Sequence, residues 1–299
     1  MKPWLGVNDV DFYGMHGKTH DGRFAVHHYN NHLEARSKAY PSYQWKPEFT
    51  EIADQVRGRG YNKVENFFDD DQKKLLMSIR SVINDYVAAN EHIKRRDINM
   101  AFIDQPLLNI PDLYKILFDG RMINMAAAYF GCIPSLTSVA VRKSFVTDVH
   151  GSENQHFHRD YNSLAKIAKF AIYLNDVDDD GGPLGYVAGS NCAMFNKWWY
   201  YHYILDSAVE RFYGKEKIKR LTANFGDLIM ADTRGYHKGW KPVNKERIAI
   251  HACFLIHPEL AGPLHTHEVP YDEAFEIKKS DYDSLPEWKK PAADFLKKV

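Results

Sequence analysis

A succession of short apolar segments, each rich in β-branched residues, fills the second half of the chain and sets narrow limits on its fold. Clusters of turn-forming residues separate these segments, and the clearest is the Asp-Asp-Asp-Gly-Gly-Pro run at residues 178–183. Runs of this length and composition predict short strands. The predicted strands are residues 135–145, 170–174, 227–232 and 247–256.

In the first half of the chain, the apolar residues recur at a different spacing. From Leu75 to Val87, apolar residues recur at helical spacing, and the acidic run at residues 69–71 offers an N-cap. A second helical region is predicted over residues 113–130, with Gly131 as its C-terminal stop. Helices followed by many strands predict an α+β protein, whose core is a β-sandwich or jelly roll with the N-terminal helices packed on one sheet.

The chain is expected to form a single domain over residues 1–299. It has 299 residues, of which 44% are hydrophobic, and no linker or internal repeat divides it. Residues 1–62 lack a clear apolar period and are interpreted as an irregular N-terminal extension. Residues 63–256 form the predicted core, which includes a helical insert over residues 191–219. Residues 257–299 form a tail that is expected to end in a short helix.

Composition argues against several classes of partner. Lys+Arg and Asp+Glu both number 39, and a formal net charge of zero disfavours nucleic-acid binding and a polybasic membrane anchor. No run of 18 apolar residues occurs, and the N-terminus does not resemble a secretory signal. The three cysteines are sparse and form no CxxC pair, as expected of core residues in a reducing compartment. We therefore expect a cytoplasmic protein with a small-molecule substrate, and the sequence leaves its oligomeric state open.

A metal-binding pattern occurs at His158-Arg159-Asp160. Residues two apart in an extended chain point to the same side, so this imidazole and this carboxylate can bind one ion. With one distant imidazole they would occupy one face of an octahedral metal, as in non-haem Fe(II) oxygenases. The pattern alone is weak, because about two His-x-acid matches are expected by chance. Three occur, the others beginning at His32 and His257.

A candidate for the distant imidazole lies downstream. A Gly226-Asp227 turn begins an apolar strand, and His237 lies near the far end of that segment. A hairpin through residues 242–245 is expected to place Arg247 beside the His237 strand. Because the guanidinium fork binds a carboxylate bidentately, Arg247 is a candidate to bind a carboxylate ligand.

The ordered set of these motifs resembles the phytanoyl-CoA dioxygenase family over roughly residues 63–256. The parts that carry the resemblance are His158-Arg159-Asp160, residues 174–184, residues 188–191, Gly226-Asp227, His237 and Arg247. The resemblance implies a double-stranded β-helix, in which His158, Asp160 and His237 are the catalytic ligands of Fe(II). It also implies that Arg247 binds the distal carboxylate of the cosubstrate 2-oxoglutarate.

The family pattern is incomplete at one position. Many members have Ser or Thr two residues after the distal histidine, where this chain has Gly239. A second hydrogen bond to 2-oxoglutarate must then come from elsewhere. Tyr173, on a strand expected to face the interior, is a candidate to bind this cosubstrate.

The activity implied by the resemblance is hydroxylation of a small-molecule metabolite, in which 2-oxoglutarate and O₂ give succinate and CO₂. Two alternatives stay open. A cupin-type metalloenzyme would bind its metal through His156, His158 and His237. A non-catalytic jelly roll would bind a small ligand without a metal.

Overall fold

The computed structural model describes residues 22–40, 43, 45–95, 99–146, 155–160, 166–191, 203–256 and 275–299. The helices are α1 (Gly22–Ala39), α2 (Thr50–Arg59), α3 (Asp70–Ala89), α4 (Pro106–Asn109), α5 (Leu113–Leu117), α6 (Gly120–Phe130), α7 (Asp206–Tyr213) and α8 (Lys279–Ser284). The strands are β1 (Tyr61–Val64), β2 (Lys94–Arg95), β3 (Met100–Ile103), β4 (Ser135–Ser144), β5 (Phe157–His158), β6 (Ala168–Tyr173), β7 (Leu184–Val187), β8 (Tyr203–Ile204), β9 (Ile218–Leu221), β10 (Leu228–Ala231), β11 (His237–Gly239), β12 (Arg247–Leu255), β13 (Glu276–Ile277) and β14 (Lys297–Lys298).

Two antiparallel sheets form the body of the described structure. The larger has the strand order β1-β10-β6-β12-β4-β3-β2, and the smaller has the order β8-β5-β11-β7-β9. A cluster of buried side chains joins them, with Ala171, Tyr173 and Ala249 of the larger sheet against Leu184 and Tyr186 of the smaller. The predicted long strands are confirmed as β4, β6, β10 and β12, and all four lie in the larger sheet.

The opposite face of the larger sheet packs against helices. Leu76 and Ile83 of α3 lie in the same buried cluster as Phe170 of β6 and Ile250 of β12. The predicted start of α3 is confirmed, because Asp69 and the third helical residue form a capping box. The helices before β4 therefore cover the larger sheet, whereas Val209 of α7 packs against the smaller one, and the space between the two sheets is left to the site described below.

The prediction of an irregular extension over residues 1–62 is wrong for the part that the structure describes. That part contains α1 and α2, and β1 pairs antiparallel with β10 at the edge of the larger sheet. In α2 the buried residues are Ala53 and Val56, which are too few to show a helical period in the sequence. Residues 1–21 lie outside the described structure.

The helix predicted over residues 113–130 is two helices. α5 ends before Phe118, and Asp119 begins α6 by accepting a hydrogen bond from the backbone N–H of Arg121 (N–O 2.7 Å). The predicted stop at Gly131 is confirmed, since this residue has φ 86° and its N–H caps α6.

The insert and the tail also differ from the prediction. Within residues 191–219 the described part contains the short helix α7 and the strands β8 and β9, while residues 192–202 lie outside it. The tail forms α8, a 3-10 segment at Glu287–Ala293 and β14, which pairs in parallel with β13. Pro291 inside the 3-10 segment prevents a continuous α-helix.

The expected hairpin between the His237 strand and Arg247 is wrong. β11 pairs with β5 and β7 in the smaller sheet, whereas β12 pairs with β4 and β6 in the larger sheet. Residues 242–245 carry the chain from one sheet to the other. Arg247 therefore approaches the same pocket as His237 from the opposite sheet.

None of the helices in the described residues is long and apolar enough to cross a bilayer. Cys132 and Cys253 are buried thiols, and burial raises the pKa of Cys132 to about 12 and that of Cys253 to about 11. Both are core residues, as the sequence predicted. Cys192 lies outside the described residues.

Candidate metal centre

The three side chains predicted to bind iron, His158, Asp160 and His237, meet between the two sheets. His158 ends β5 and His237 begins β11, and the two are direct cross-strand partners. Asp160 follows β5, where its backbone N–H donates to the carbonyl of Thr233 (N–O 2.9 Å). The pairing of β5 with β11 thus brings together side chains that are far apart in the sequence.

The donor atoms of this cluster are close enough to share one ion. Asp160 Oδ1 lies 3.8 Å from His158 Nε2 and 3.5 Å from His237 Nε2. An octahedral ion with bonds of about 2.1 Å would hold neighbouring donors roughly 3 Å apart. A small closure of the three side chains is therefore sufficient for them to bind one metal.

Backbone carbonyls orient both imidazoles. His158 Nδ1 lies 2.8 Å from the carbonyl oxygen of His156, and His237 Nδ1 lies 3.0 Å from that of Gly235. When Nδ1 carries the proton and donates to a carbonyl, the lone pair of Nε2 is available to a metal. Both Nε2 atoms face Asp160, so the tautomers that satisfy these contacts are those that metal binding requires.

Burial and neighbouring charge set the protonation of the cluster. The pKa of His158 is lowered to about 3, first by burial and then by His237, so its ring carries no net charge at neutral pH. Burial would raise the pKa of Asp160, but Lys169, His237 and His158 outweigh it and hold that pKa well below its usual value. Asp160 is therefore an ionised carboxylate.

Lys169 of β6 fixes the orientation of Asp160. Its ammonium group donates to Oδ2, whereas Oδ1 is the oxygen that faces the two histidines. Asp160 can therefore bind a metal through one oxygen while Lys169 holds the other. Sequence analysis missed Lys169, because its place beside Asp160 depends on the pairing of β6 with β12, in which Lys169 opposes Cys253.

Arg247 lies at the start of β12, in the same pocket. Its guanidinium donates to the carbonyl of Gly182 through Nη1 and to Ser144 Oγ through Nη2, the latter at 3.2 Å. Its Nε is buried and has no hydrogen-bond partner within the described residues. Arg247 is thus held in place by two contacts and keeps one buried donor for a ligand.

The turn before β7 explains why the chain has glycine at position 182. Gly182 has φ +73°, and a Cβ at this position would lie 2.5 Å from the carbonyl oxygen of Trp240. A side chain would therefore force apart the backbone segments that support Arg247.

Tyr173 lines the pocket, but its hydroxyl is engaged with the backbone. The hydroxyl accepts a hydrogen bond from the N–H of Leu184 (2.8 Å) and donates to the carbonyl of Leu221 (3.4 Å). These contacts join the two sheets. A role for Tyr173 in cosubstrate binding stays a prediction, and Gly239 lines the same pocket without a side chain.

Two further pocket residues, Arg142 of β4 and His251 of β12, were not found in the sequence. Arg142 pairs with Ala249, which lies two residues from both Arg247 and His251 on one face of β12. Arg142 Nε and His251 Nε2 are buried and have no hydrogen-bond partner within the described part of the chain. No motif surrounds either residue. For His251 the available signal was the alternation of side chains along β12, which places it on the same face as Arg247.

Together these side chains enclose a pocket with an empty volume of about 430 Å³, including the part that is open to solvent. Small side chains on the larger sheet leave room for this pocket. Ala140 and Ala171 flank His251 on the neighbouring strands, and Ala249 separates Arg142 from Tyr173.

His156 does not join the metal-binding cluster. Among the described residues, the group with donor atoms within 4.8 Å of one another is His158, Asp160 and His237. His156 contributes its backbone carbonyl, which accepts from His158. The geometry therefore favours the two-histidine, one-carboxylate set over the cupin-type set.

No protein-family model matches the sequence. No curated protein matches it either. Solved structures, in contrast, match the fold. The carbocyclase SnoK from nogalamycin biosynthesis, described as non-heme and alpha-ketoglutarate-dependent, has a TM-score of 0.55 and 15% identity, and the match covers 69% of this chain and 83% of SnoK.

Two other matches contain 2-oxoglutarate. HygX from Streptomyces hygroscopicus, solved with nickel and 2-oxoglutarate, has a TM-score of 0.52 and 14% identity over 71% of this chain and 87% of HygX. EctD from S. alaskensis, solved with 2-oxoglutarate and 5-hydroxyectoine, has a TM-score of 0.53 and 14% identity over 71% of this chain and 78% of EctD. These similarities show that this chain shares its fold with SnoK, HygX and EctD.

Proposed function

We propose that this chain is an Fe(II)- and 2-oxoglutarate-dependent dioxygenase that hydroxylates a small-molecule metabolite and releases succinate and CO₂. The observation that carries the proposal is the meeting of His158, Asp160 and His237 in the pocket that Arg247 also lines. Two imidazoles and one carboxylate on one face of an iron leave the other face for cosubstrate and O₂. The presence of 2-oxoglutarate in HygX and EctD supports the same cosubstrate here.

The residues of the pocket have distinct tasks in this reaction. Bound Fe(II) and 2-oxoglutarate would supply the oxidising chemistry. His158 and His237 would hold the metal through Nε2, and Asp160 through Oδ1. Arg247 would donate its buried Nε to the distal carboxylate, where a charge-assisted hydrogen bond is strong. Tyr173, which lines the same pocket, would supply the second contact.

We further propose that the two sheets form a double-stranded β-helix. From β4 to β12 the chain passes back and forth between them, with β4, β6, β10 and β12 in the larger sheet and β5, β7, β8, β9 and β11 in the smaller. This interleaving supports a jelly roll. With the sequence motifs, it supports a place for this chain near the phytanoyl-CoA dioxygenase family.

We infer one catalytic domain and a cytoplasmic location. The buried cluster that joins α3 to the larger sheet also includes Ile277 and Ala292 of the C-terminal segment, which supports a single folding unit. The sparse cysteines, of which Cys132 and Cys253 are buried thiols, support a reducing compartment.

Succinate formation tests the proposal. Purified protein is loaded with Fe(II) anaerobically, and 2-oxoglutarate and O₂ are then added with and without a panel of metabolites. We expect slow succinate formation without substrate and faster formation with the true substrate. Asp160→Ala should abolish both, whereas Asp71→Ala, which removes a carboxylate that is 90% exposed on α3, should retain both.

The result that would contradict the proposal is full succinate formation by Asp160→Ala. Failure of the wild-type protein to bind iron, together with tight binding of a small molecule, would instead favour the non-catalytic jelly roll.

A further inference from the structure

Among the residues that the structure describes, those lining the pocket carry more positive charge than the proposed metal and cosubstrate would neutralise. Among the described residues that line it, Arg142, Lys169 and Arg247 are cations and Asp160 is the carboxylate, which gives a surplus of two positive charges (3 − 1 = 2). Fe(II) adds two positive charges and 2-oxoglutarate adds two negative charges, so the surplus is unchanged. Because unpaired charge is costly at a buried position such as that of Arg247, the balance among the described residues calls for a further anion.

The cations lie in different parts of the pocket. Arg247 and Lys169 are separated along the larger sheet, since Lys169 opposes Cys253, six residues further along β12. At about 3.3 Å per residue, their backbones are roughly 20 Å apart. With Arg247 assigned to 2-oxoglutarate, Lys169 has two ammonium hydrogens besides the one that it donates to Asp160, and these can bind a different ligand.

Two buried nitrogen atoms lie in the same region of the pocket. Arg142 Nε and His251 Nε2 have no hydrogen-bond partner within the described residues. Arg142 lies beside Ala249, and His251 lies between Arg247 and Cys253 along β12. The pKa of His251 is held well below its usual value, first by burial and then by Arg142, Lys169 and Arg247, so its ring is neutral. A neutral imidazole can donate one hydrogen bond to an anion without adding to the surplus of charge.

We propose that the substrate carries an anionic group, a carboxylate or a phosphate-type group, which binds between Arg142, His251 and Lys169. This inference rests on the proposed function, because the charge balance counts Fe(II) and 2-oxoglutarate. Lys169 contacts Asp160, so an anion bound to Lys169 lies beside the metal-binding cluster. The oxidised carbon of the substrate then lies within a few bonds of the anionic group.

Small probes test the subsite. The protein is loaded with Fe(II) and 2-oxoglutarate without O₂, and methylphosphonate, acetate, dimethyl methylphosphonate or acetamide is titrated in. Calorimetry reports binding of the probe, and the visible absorption of the Fe(II)–2-oxoglutarate complex reports whether the cosubstrate stays bound. We expect both anions to bind at least about tenfold more tightly than their neutral analogues, with the absorption retained. The tighter of the two anions identifies a carboxylate or a phosphate-type group.

Variants link the binding to the named residues. Arg142→Gln should weaken methylphosphonate binding by about tenfold, as expected for the loss of one partly buried charge, and should leave 2-oxoglutarate affinity nearly unchanged. Arg142→Lys should restore most of the affinity. Lys74→Gln removes a charge that is 71% exposed on α3 and should change neither affinity.

Several results would overturn the inference. Equal binding of neutral and anionic probes, or failure of all four to bind while the absorption develops normally, would overturn the anion subsite and leave the proposed function intact. Loss of the absorption on adding methylphosphonate would show that the anion takes the place of 2-oxoglutarate. A fall in 2-oxoglutarate affinity alone in Arg142→Gln would assign Arg142 to the cosubstrate. If the wild-type protein never develops the absorption, both proposals fail. The comparison of probes on the wild-type protein holds even if Arg142→Gln does not fold.

Discussion

His158 and His237 are direct cross-strand partners in the smaller sheet, and their rings lie 4.3 Å apart between centroids. Neighbouring strands alternate their side chains between two faces, so a shift of one residue in this pairing would turn one histidine away from the pocket. The register of β5 against β11 therefore determines whether the metal-binding cluster exists. Asp160 joins the cluster because its own N–H is bonded to Thr233, just before β11.

The first prediction concerns which histidines bind the metal. His237→Ala removes a donor that lies 3.5 Å from Asp160 Oδ1, so we expect affinity for Ni(II) or Fe(II) to fall by at least about a hundredfold. His156→Ala keeps the backbone carbonyl that orients His158 and should retain affinity within a small factor. Calorimetric titration of the metal measures both, and an equal loss in the two variants would favour the cupin-type set.

A second prediction concerns the support of Arg247. Ser144 accepts a hydrogen bond from Arg247 Nη2 at 3.2 Å and is buried. Ser144→Ala should therefore weaken 2-oxoglutarate binding by about 1 kcal/mol, or roughly fivefold, through looser positioning of the guanidinium. Arg247→Gln should cost more, about 2–4 kcal/mol, because it removes the charge itself.

The measurement is the dependence of succinate formation on 2-oxoglutarate concentration. We expect a higher KM for 2-oxoglutarate in both variants and a smaller change in kcat. An unchanged KM in Arg247→Gln would remove Arg247 from the cosubstrate site.

The third prediction compares two glycines. Gly182 has φ +73°, and an added Cβ would meet backbone atoms of Trp240 at 2.5 Å and Pro242 at 2.7 Å. Gly182→Ala should lower the free energy of unfolding by at least about 2 kcal/mol. Gly58 lies in α2 with nothing within 4 Å of the added Cβ, so Gly58→Ala should raise it by about 0.5–1 kcal/mol. Urea unfolding measures both variants. An unchanged free energy of unfolding in Gly182→Ala would show that the turn before β7 is not tightly constrained.

The sequence predicted those parts of the site that depend on neighbouring residues. His158 and Asp160 needed no more than an extended chain, and α3 needed a capping residue followed by a helical apolar period. The placement of His237 in the same cluster was also correct. It relied on resemblance to a known order of motifs, because spacing along the chain does not by itself specify which strands pair.

The failures at the site share one physical cause, which is that contacts between strands distant in the sequence leave no local trace. Arg142 and Lys169 reach the pocket because β4 and β6 both pair with β12, and no pattern around either residue signals this. The expected hairpin to Arg247 was wrong for the same reason, since the turn after β11 crosses between sheets. α2 was missed because its buried residues, Ala53 and Val56, do not form an apolar stripe along the helix.

The fourth prediction concerns stability and pH at the start of α6. Asp119 accepts hydrogen bonds from the N–H and guanidinium of Arg121 and from the side chain of Gln72. Burial would raise the pKa of Asp119, but the contacts with Arg121 and Gln72 outweigh it and lower that pKa below 3.8. A lowered pKa in the folded state means that the carboxylate stabilises the fold fully above its ordinary pKa. This contribution is lost as the pH falls through the lowered value.

Asp119→Ala should therefore reduce the free energy of unfolding by about 1–2 kcal/mol at neutral pH, and the difference from wild type should shrink below about pH 4. Urea unfolding at neutral and acidic pH measures this change. Asp71→Ala, at an exposed site in the first turn of α3, serves as the matched control, with an expected change under about 0.5 kcal/mol. If Asp119→Ala lowers the free energy of unfolding as much in acid as at neutral pH, then Asp119 stabilises the fold through packing and not through its charge.

The most direct measurement of the central claim is the position of bound iron. Crystals of the protein grown with Fe(II) and 2-oxoglutarate without O₂ would be measured at the iron absorption edge. The account predicts one strong anomalous peak between His158 Nε2, Asp160 Oδ1 and His237 Nε2, with 2-oxoglutarate density extending from it towards Arg247. A peak at any other group of side chains, or none at saturating iron, would contradict the assignment of these residues as the metal centre.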